Sequence, residues 1–248
     1  MNKFTIKSLK KSFHGHQVLK GVDLEIKDKT SLVILGGSGS GKSVLIKLMI
    51  GLLRPDSGSI MYDDKESTEF SRYERQEMLQ NCGYLFQAGA LFDSLSIKDN
   101  ILFFARKLYD FKEDEYNELA LNKIRSVGLP ERVLELYPSE LSGGMQKRAA
   151  LARAICTNPK VIFFDEPTTG LDPIMSNVIN DLITKAREEL NATTITITHD
   201  IHSAKSIGID VAFLREGKIN WTGNVKDMEH HSSDELQKFI AGKEIDED

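Results

Sequence analysis

Residues 31–44 read Ser31-Leu32-Val33-Ile34-Leu35-Gly36-Gly37-Ser38-Gly39-Ser40-Gly41-Lys42-Ser43-Val44. After the leading serine the chain is solidly apolar up to Gly36, the pattern of a parallel strand buried on both faces. From Val44 to Leu53 apolar residues recur at helical spacing, and Arg54-Pro55-Asp56-Ser57-Gly58 is a turn that ends them. Between strand and helix stands G-x-x-x-x-G-K-[ST], in the context its chemistry requires. Gly36, Gly37, Ser38, Gly39, Ser40 and Gly41 let successive backbone N–H groups turn inward around phosphate oxygens. The helix starting near Lys42 adds its positive dipole end, Lys42 bridges the β- and γ-phosphates, and Ser43 ligates Mg²⁺. A nucleotide site on an α/β sheet is therefore expected here.

The rest of the chain extends this strand, loop and helix in both directions. Phe4-Thr5-Ile6-Lys7-Ser8-Leu9 and Val22-Asp23-Leu24-Glu25-Ile26 alternate with period two, as half-buried strands of an antiparallel piece do. Cys82 to Phe86, Val161 to Phe164 and Thr193 to Thr198 are further short strands, the last favoured by its threonines and isoleucines. Between Gln87 and Lys160 the pattern turns helical: Ser96 to Lys107, Lys112 to Val127 and Gly143 to Ala154. Asp110 followed by Glu113 predicts a capping box for the middle helix, and Gly128-Leu129-Pro130 closes it. This predicts a mostly helical lobe inserted into the sheet. After Thr198 a short helix, two strands around Glu216-Gly217-Lys218 and a helix near Asp234 to Ala241 are expected, with the acidic Glu244 to Asp248 frayed.

Apolar residues make up 40% of the 248 and charged residues 28%, the balance of a soluble globular protein. The longest apolar run, Ile101 to Ala105, is five residues, against the roughly 20 a membrane helix needs. Met1 to Phe13 mixes four lysines with alternating apolar residues, so it is not expected to act as a signal peptide, and the protein is expected on the side of the membrane where it is made. Cys82 and Cys156 lie in apolar stretches without a Cys/His cluster, as free buried thiols do. A net charge of −5 gives no general polyanion surface, so nucleic acid is not an expected partner.

Two further stretches carry chemistry. Val161-Ile162-Phe163-Phe164-Asp165-Glu166 is an apolar strand ending in two carboxylates, which a buried parallel strand delivers to the carboxyl edge of the sheet, where the phosphate loop also belongs. Asp165 suits Mg²⁺ through its water shell and Glu166 suits polarising an attacking water, a pairing fit for hydrolysis. Guanine specificity would need Asn-Lys-x-Asp, but Asn122-Lys123-Ile124-Arg125 has Arg where the base-reading carboxylate belongs. Leu141-Ser142-Gly143-Gly144-Met145-Gln146 precedes the helical Lys147 to Ile155, and Ser142 with the N–H groups after Gly143 makes a second anion-binding helix start. One chain cannot easily close both sites on one nucleotide; two chains can.

These motifs, in this order from Phe4 to about Gly223, resemble the ATP-binding subunit of ABC transporters. The resemblance implies a P-loop, RecA-like parallel sheet core (1–87 and 160–225) with an N-terminal antiparallel β piece, an inserted helical lobe (88–159) and a short C-terminal helix with tail (226–248), all one α/β ATPase domain. It makes Leu141 to Met145 the signature, Gln87 a γ-phosphate and Mg²⁺ contact, Gly170-Leu171-Asp172 the D-loop and His199 the switch histidine, with Phe13 stacking on adenine. Lys42, Glu166 and His199 are then the catalytic residues, Ser43, Gln87 and Asp165 the Mg²⁺ ligands, and Ser142, Gly143 and Gly144 the contacts to ATP held by a second subunit. His14, His16, His202, His230 and His231 are expected to be ordinary surface histidines.

Phe86 to Leu95, with Tyr137-Pro138-Ser139-Glu140 leading into a signature that ends in Met145 where Gln is usual, is similar to the ATPase of the MCE-type (Mla-like) phospholipid transporters and their plastid relatives. That implies a cytoplasmic homodimer, peripheral on the inner membrane, docked on an integral permease near Gln87 to Leu95 through Ala88, Leu91 and Phe92, and serving an MCE-type lipid-binding protein. A small-solute importer remains an alternative on the same subunit. A soluble, non-transport ATPase of this type would show tandem cassettes, a long coiled-coil insert or a basic face, and the sequence shows none of them.

Overall fold

The computed structural model describes residues 1–230 and 232–243; His231 and the expected frayed tail lie outside them. The chain divides into two compact units, Met1–Arg75 with Thr193–Asp248, and Gln76–Ala192. In chain order the elements are β1 (Asn2–Phe13), β2 (His16–Lys27), β3 (Ser31–Leu35), α1 (Lys42–Met49), β4 (Ser57–Tyr62), β5 (Lys65–Glu66), α2 (Arg72–Gln80), β6 (Cys82–Leu85), α3 (Ile97–Leu102), α4 (Ala105–Leu108), α5 (Glu113–Ser126), α6 (Gly143–Ala154), β7 (Val161–Asp165), α7 (Pro173–Leu190), β8 (Thr193–Thr198), α8 (Ile201–Ile207), β9 (Asp210–Arg215), β10 (Lys218–Asn224) and α9 (Asp234–Ile240).

In the first unit β1 and β2 form an antiparallel hairpin in which Phe4 faces Ile26 and Ile6 faces Leu24, turning through His14 and Gly15, both at positive φ. β4 pairs with the other edge of β1, Phe4 opposite Tyr62, so the alternation seen in the sequence buries one face of a curved antiparallel layer. The second layer has the order β10, β9, β3, β8. β3 is parallel to both neighbours, Leu35 lying opposite Thr198 of β8 and Phe213 of β9. Every residue of β3 and β8 is buried, which is why these strands read as continuous runs.

In the second unit β6 and β7 run parallel from Cys82 opposite Val161 to Leu85 opposite Phe164, with α3 to α6 inserted between them in sequence. Ile97, Ile101, Tyr116, Ala120, Ile124, Ala150 and Leu151 form the helical core. α6 lies hard against β6: a Cβ on Gly83 would stand 2.2 Å from the Ala154 carbonyl oxygen. α7 is opened by the Asp172 carboxylate, which accepts from the Met175 N–H at 3.0 Å, and ended by Asn191 in the left-handed region.

Several boundaries differ from the sequence reading. α1 stops at Met49 because Gly51 (φ +74°) turns the chain, and the N–H groups of Leu52 and Leu53 both return to the Lys47 carbonyl. Ser57 and Gly58 begin β4 instead of completing a turn. The expected helix 96–107 is two short helices, since Phe103 N–H tightens onto the Asn100 carbonyl three residues back and Phe103 and Phe104 form a turn. The box opening α5 uses Lys112 and Glu115, the Glu115 carboxylate accepting from Lys112 N–H at 2.9 Å. Glu113 is engaged instead by Arg106 and Lys98. No expectation from the sequence covers β4, α2 or α7.

Candidate functional site

In the first unit, Leu35 of β3 and Thr198 of β8 end level with each other, and Gly36 N–H donates to the Thr198 carbonyl at 3.3 Å. The phosphate loop and His199 therefore leave the same edge of the same sheet. Gly36 tolerates no side chain, because a Cβ would lie 2.3 Å from the Leu214 carbonyl oxygen and 2.9 Å from Ser40 Oγ. Gly39 (φ +77°) and Gly41 (φ +105°) adopt backbone that other residues rarely reach. Space around Gly37 and Gly39 is open, with no atom within 4 Å of an added Cβ.

α1 has no side-chain cap at its N-terminus, which leaves its first N–H groups to an anion. Ser40 Oγ is buried with no hydrogen-bond partner among the described residues, so the cradle holds an unused polar atom where phosphate oxygens belong. Lys42 is buried, its Nζ donating to the Gly36 and Gly37 carbonyls at 2.7 and 2.8 Å. Those acceptors are exchangeable for phosphate oxygens. Val18 and Leu19 of β2 touch the loop at Gly41, which brings the β1–β2 hairpin alongside it, and the hairpin carries the partly exposed ring of Phe13 under Lys11. His199 is exposed at the mouth, next to Asp200, which caps α8 through the N–H groups of His202 and Ser203.

In the second unit, Leu85 and Phe164 likewise end level, so Gln87 and the pair Asp165 and Glu166 leave one edge together. Tyr84 Oη donates to Asp165 Oδ2 at 3.4 Å, and burial with the neighbouring Asp165 charge raises the Tyr84 phenol well above its ordinary range. Glu166 sits at φ +47°, and the Thr169 hydroxyl donates to its Oε2 at 3.1 Å. Ser142 caps α6, its Oγ accepting from Met145 N–H at 3.4 Å, and Ser142 and Gly143 are exposed, with open space around Gly143. Gly144 faces α7, where a Cβ would meet Met175 Cε at 2.9 Å. Of the D-loop, Gly170 has positive φ and Asp172 serves as the cap of α7.

The ABC transporter family profile matches residues 19–169, more than half of the chain and spanning the phosphate loop, the signature and both acids. The chain belongs to the ABC transporter family. This ABC subunit is 36% identical over 242 residues to the intermembrane phospholipid transport ATP-binding protein MlaF of Haemophilus influenzae, the match covering 98% of this chain and 91% of that one. It is also 36% identical over 240 residues to a probable ribonucleotide transport ATP-binding protein of Mycobacterium leprae, covering 97% and 69%. A dimeric ATP-binding cassette in a post-hydrolysis state, bound to ADP and Pi, superposes with a TM-score of 0.83 at 29% identity, covering 90% of this chain and 98% of that one. The ABC subunit is an ATP-binding and ATP-hydrolysing protein with the α/β cassette fold.

Other residues of the ABC subunit hold its loops in place and carry no motif. Lys147 and Arg153 of α6 are buried cations. Lys147 Nζ donates to the Gln87 carbonyl, and Arg153 donates to the Gly89 and Ala90 carbonyls at 2.6 and 2.7 Å. Burial lowers the pKa of both, with Asp165 and Glu166 acting on Lys147 in the opposite direction. Fully buried Asn100 accepts from Phe92 N–H and donates to the Phe92, Leu95 and Ser96 carbonyls. The loop from Gln87 to Leu95 is thus fixed from within its own unit. Ala88 and Phe92 are exposed, and Leu91 is half-buried. Neither Cys82 nor Cys156 is in a disulfide; Cys156 is buried, whereas Cys82 is only half-buried. His14, His16, His202 and His230 are exposed.

Proposed function

We propose that this subunit works as a homodimer bridged by two ATP molecules, docked on an integral membrane permease, and drives the movement of phospholipid across the cell envelope with an MCE-type lipid-binding protein. The cargo reading rests on the match to a phospholipid transport ATP-binding protein, which extends over nearly all of both chains. No helix among the described residues is long and apolar enough to cross a membrane, so contact with the bilayer falls to the permease. The exposed Ala88 and Phe92, on a loop fixed by Lys147, Arg153 and Asn100, are its proposed seat.

For ATP, the fit is carried by the open glycine loop, the uncapped start of α1 and the unused Ser40 hydroxyl. For Mg²⁺, Ser43, Gln87 and Asp165 supply hydroxyl, amide and carboxylate oxygens, the donor set a hard cation takes. When bound, Mg²⁺ neutralises charge on the β- and γ-phosphate oxygens. Lys42 leaves its two loop carbonyls for the phosphates, Glu166 receives the proton of the attacking water, and His199 contacts the γ-phosphate from the end of β8. Ser142 and Gly143, both exposed, and the half-buried Gly144 present their N–H groups to ATP on the opposing subunit.

Light scattering tests the dimer. The Glu166→Gln protein with Mg-ATP should shift from monomer to dimer, and adding Ser142→Arg should abolish the shift; a shift that survives Ser142→Arg rules out the shared site. For the cargo, the complex is purified through this subunit and reconstituted with fluorescent phospholipid. ATP-dependent lipid movement is expected, whereas turnover stimulated by a soluble ribonucleotide or amino acid and not by phospholipid would assign a small solute. Leu91→Asp should abolish co-purification with the permease while sparing ATP binding.

A further inference from the structure

Glu166 is held in a backbone conformation that its sequence disfavours. Its φ of +47° lies in the left-handed region, uncommon for a side chain branching beyond Cβ, and the next residue is Pro167, which pushes a preceding residue toward extended backbone. Thr169 returns to Glu166 twice: its N–H donates to the Glu166 carbonyl at 3.2 Å, and its hydroxyl donates to Glu166 Oε2 at 3.1 Å. Pro167 and Thr168 between them are buried, so the turn is anchored from below while Glu166 and Thr169 face outward, half-buried. Strain kept at the end of a strand, beside a metal-binding acid, marks a group whose direction matters. A carboxylate that takes a proton from water must present one oxygen at a fixed angle, and a free Glu side chain has three torsions to lose.

We propose that Thr169 is a positioning residue for Glu166, its hydroxyl holding the carboxylate in the orientation from which it receives the proton of the attacking water. This rests on the reading of Glu166 as the base. The backbone bond closes the turn whatever residue stands at 169, whereas the side-chain bond needs a hydroxyl. Binding and orientation are thereby separable: Thr169 acts through Glu166 and leaves the affinity for ATP alone.

The test uses the full chain with Thr169→Val, which keeps the branched shape and removes the donor, and Thr169→Ser, which keeps the donor. ATP turnover, KM, nucleotide affinity by equilibrium titration and melting temperature are measured for each, with Glu166→Gln alongside. Thr169→Val should lower kcat roughly tenfold with KM and affinity within about twofold of the parent, and Thr169→Ser should keep near-parent kcat. Unchanged kcat in Thr169→Val, or equal losses in the Val and Ser variants, would overturn the proposal. If Thr169→Val melts early, Thr169→Ala replaces it: low kcat in Ala with normal kcat in Ser supports the hydroxyl, and low kcat in both rejects it. Glu166→Gln that keeps turnover would remove the base assignment itself, whereas a dead Glu166→Gln beside a fully active Thr169→Val would remove Thr169 alone.

Discussion

The loop from Gly36 to Ser43 and the loop from Gln87 to Leu95 both follow a buried parallel strand, yet they hold their shapes by opposite means. The first is shaped by its own backbone: two glycines at positive φ, a third with no room for a Cβ, and a lysine that folds back onto its own carbonyls. The second is shaped from outside, by Lys147 and Arg153, some 60 residues away in sequence, and by Asn100, all buried and all spending their donors on loop carbonyls. A loop that must let phosphate in keeps its surface open and spends its lysine only on its own carbonyls. The second loop, the proposed permease seat, is tied to a helix of its own unit.

The largest effect should separate chemistry from both loops. Glu166→Gln should lower turnover by about 10²–10⁴, roughly 3–5 kcal/mol, and leave ATP binding intact, as measured by single-turnover assay and titration. Lys42→Ala strikes the self-shaped loop. Loss of one charge-assisted contact should weaken ATP affinity about 10- to 100-fold.

Arg153→Met strikes the tied loop, with the reverse signature. The buried Gly89 carbonyl and the partly buried Ala90 carbonyl lose their donor, for about 1–3 kcal/mol and a melting point lower by roughly 2–10 °C. Hydrogen exchange around Gly89 should rise while ATP affinity holds. Arg153→Lys should recover only part of this, since one ammonium cannot reproduce the guanidinium fork. If Arg153→Met reduces ATP affinity and leaves exchange near Gly89 unchanged, the contrast between the two loops fails.

Gly39→Ala offers a finer comparison. It meets no atom, so its effect is backbone strain alone, about 1 kcal/mol, and differential scanning calorimetry should show a shift of roughly 2–4 °C. The smallest effect concerns the thiols. Burial pushes the Cys156 thiol up to about 11, so at pH 8 it stays protonated and unreactive, and its labelling should accelerate only as pH approaches that value. Half-buried Cys82 should account for the labelling of the native protein at pH 8, and rapid modification of Cys156 there would show that its burial is not maintained.

The sequence by itself determined the strand, the glycine loop and the start of the helix from Ser31 onward, the paired strands that flank them, the helical insertion and the order of the motifs, because each depends on local physics. Glycine placement, alternation and apolar runs act on neighbours within a few residues. It also singled out Asp165, Glu166 and Ser142 by residue type and position, whereas Gln87 and His199 stood out only through the family resemblance. Only the tertiary structure decided what holds them. The left-handed backbone of Glu166 before a proline runs against local preference, so no propensity reveals it. Glu115 displaced Glu113 as the cap of α5 because Arg106 and Lys98 claim the Glu113 carboxylate in space. In the sequence, Lys147 and Arg153 are marked only as part of a helical stretch. Burial and the carbonyls of a distant loop give them their role, and a contact between residues 60 positions apart leaves no periodic trace in either segment.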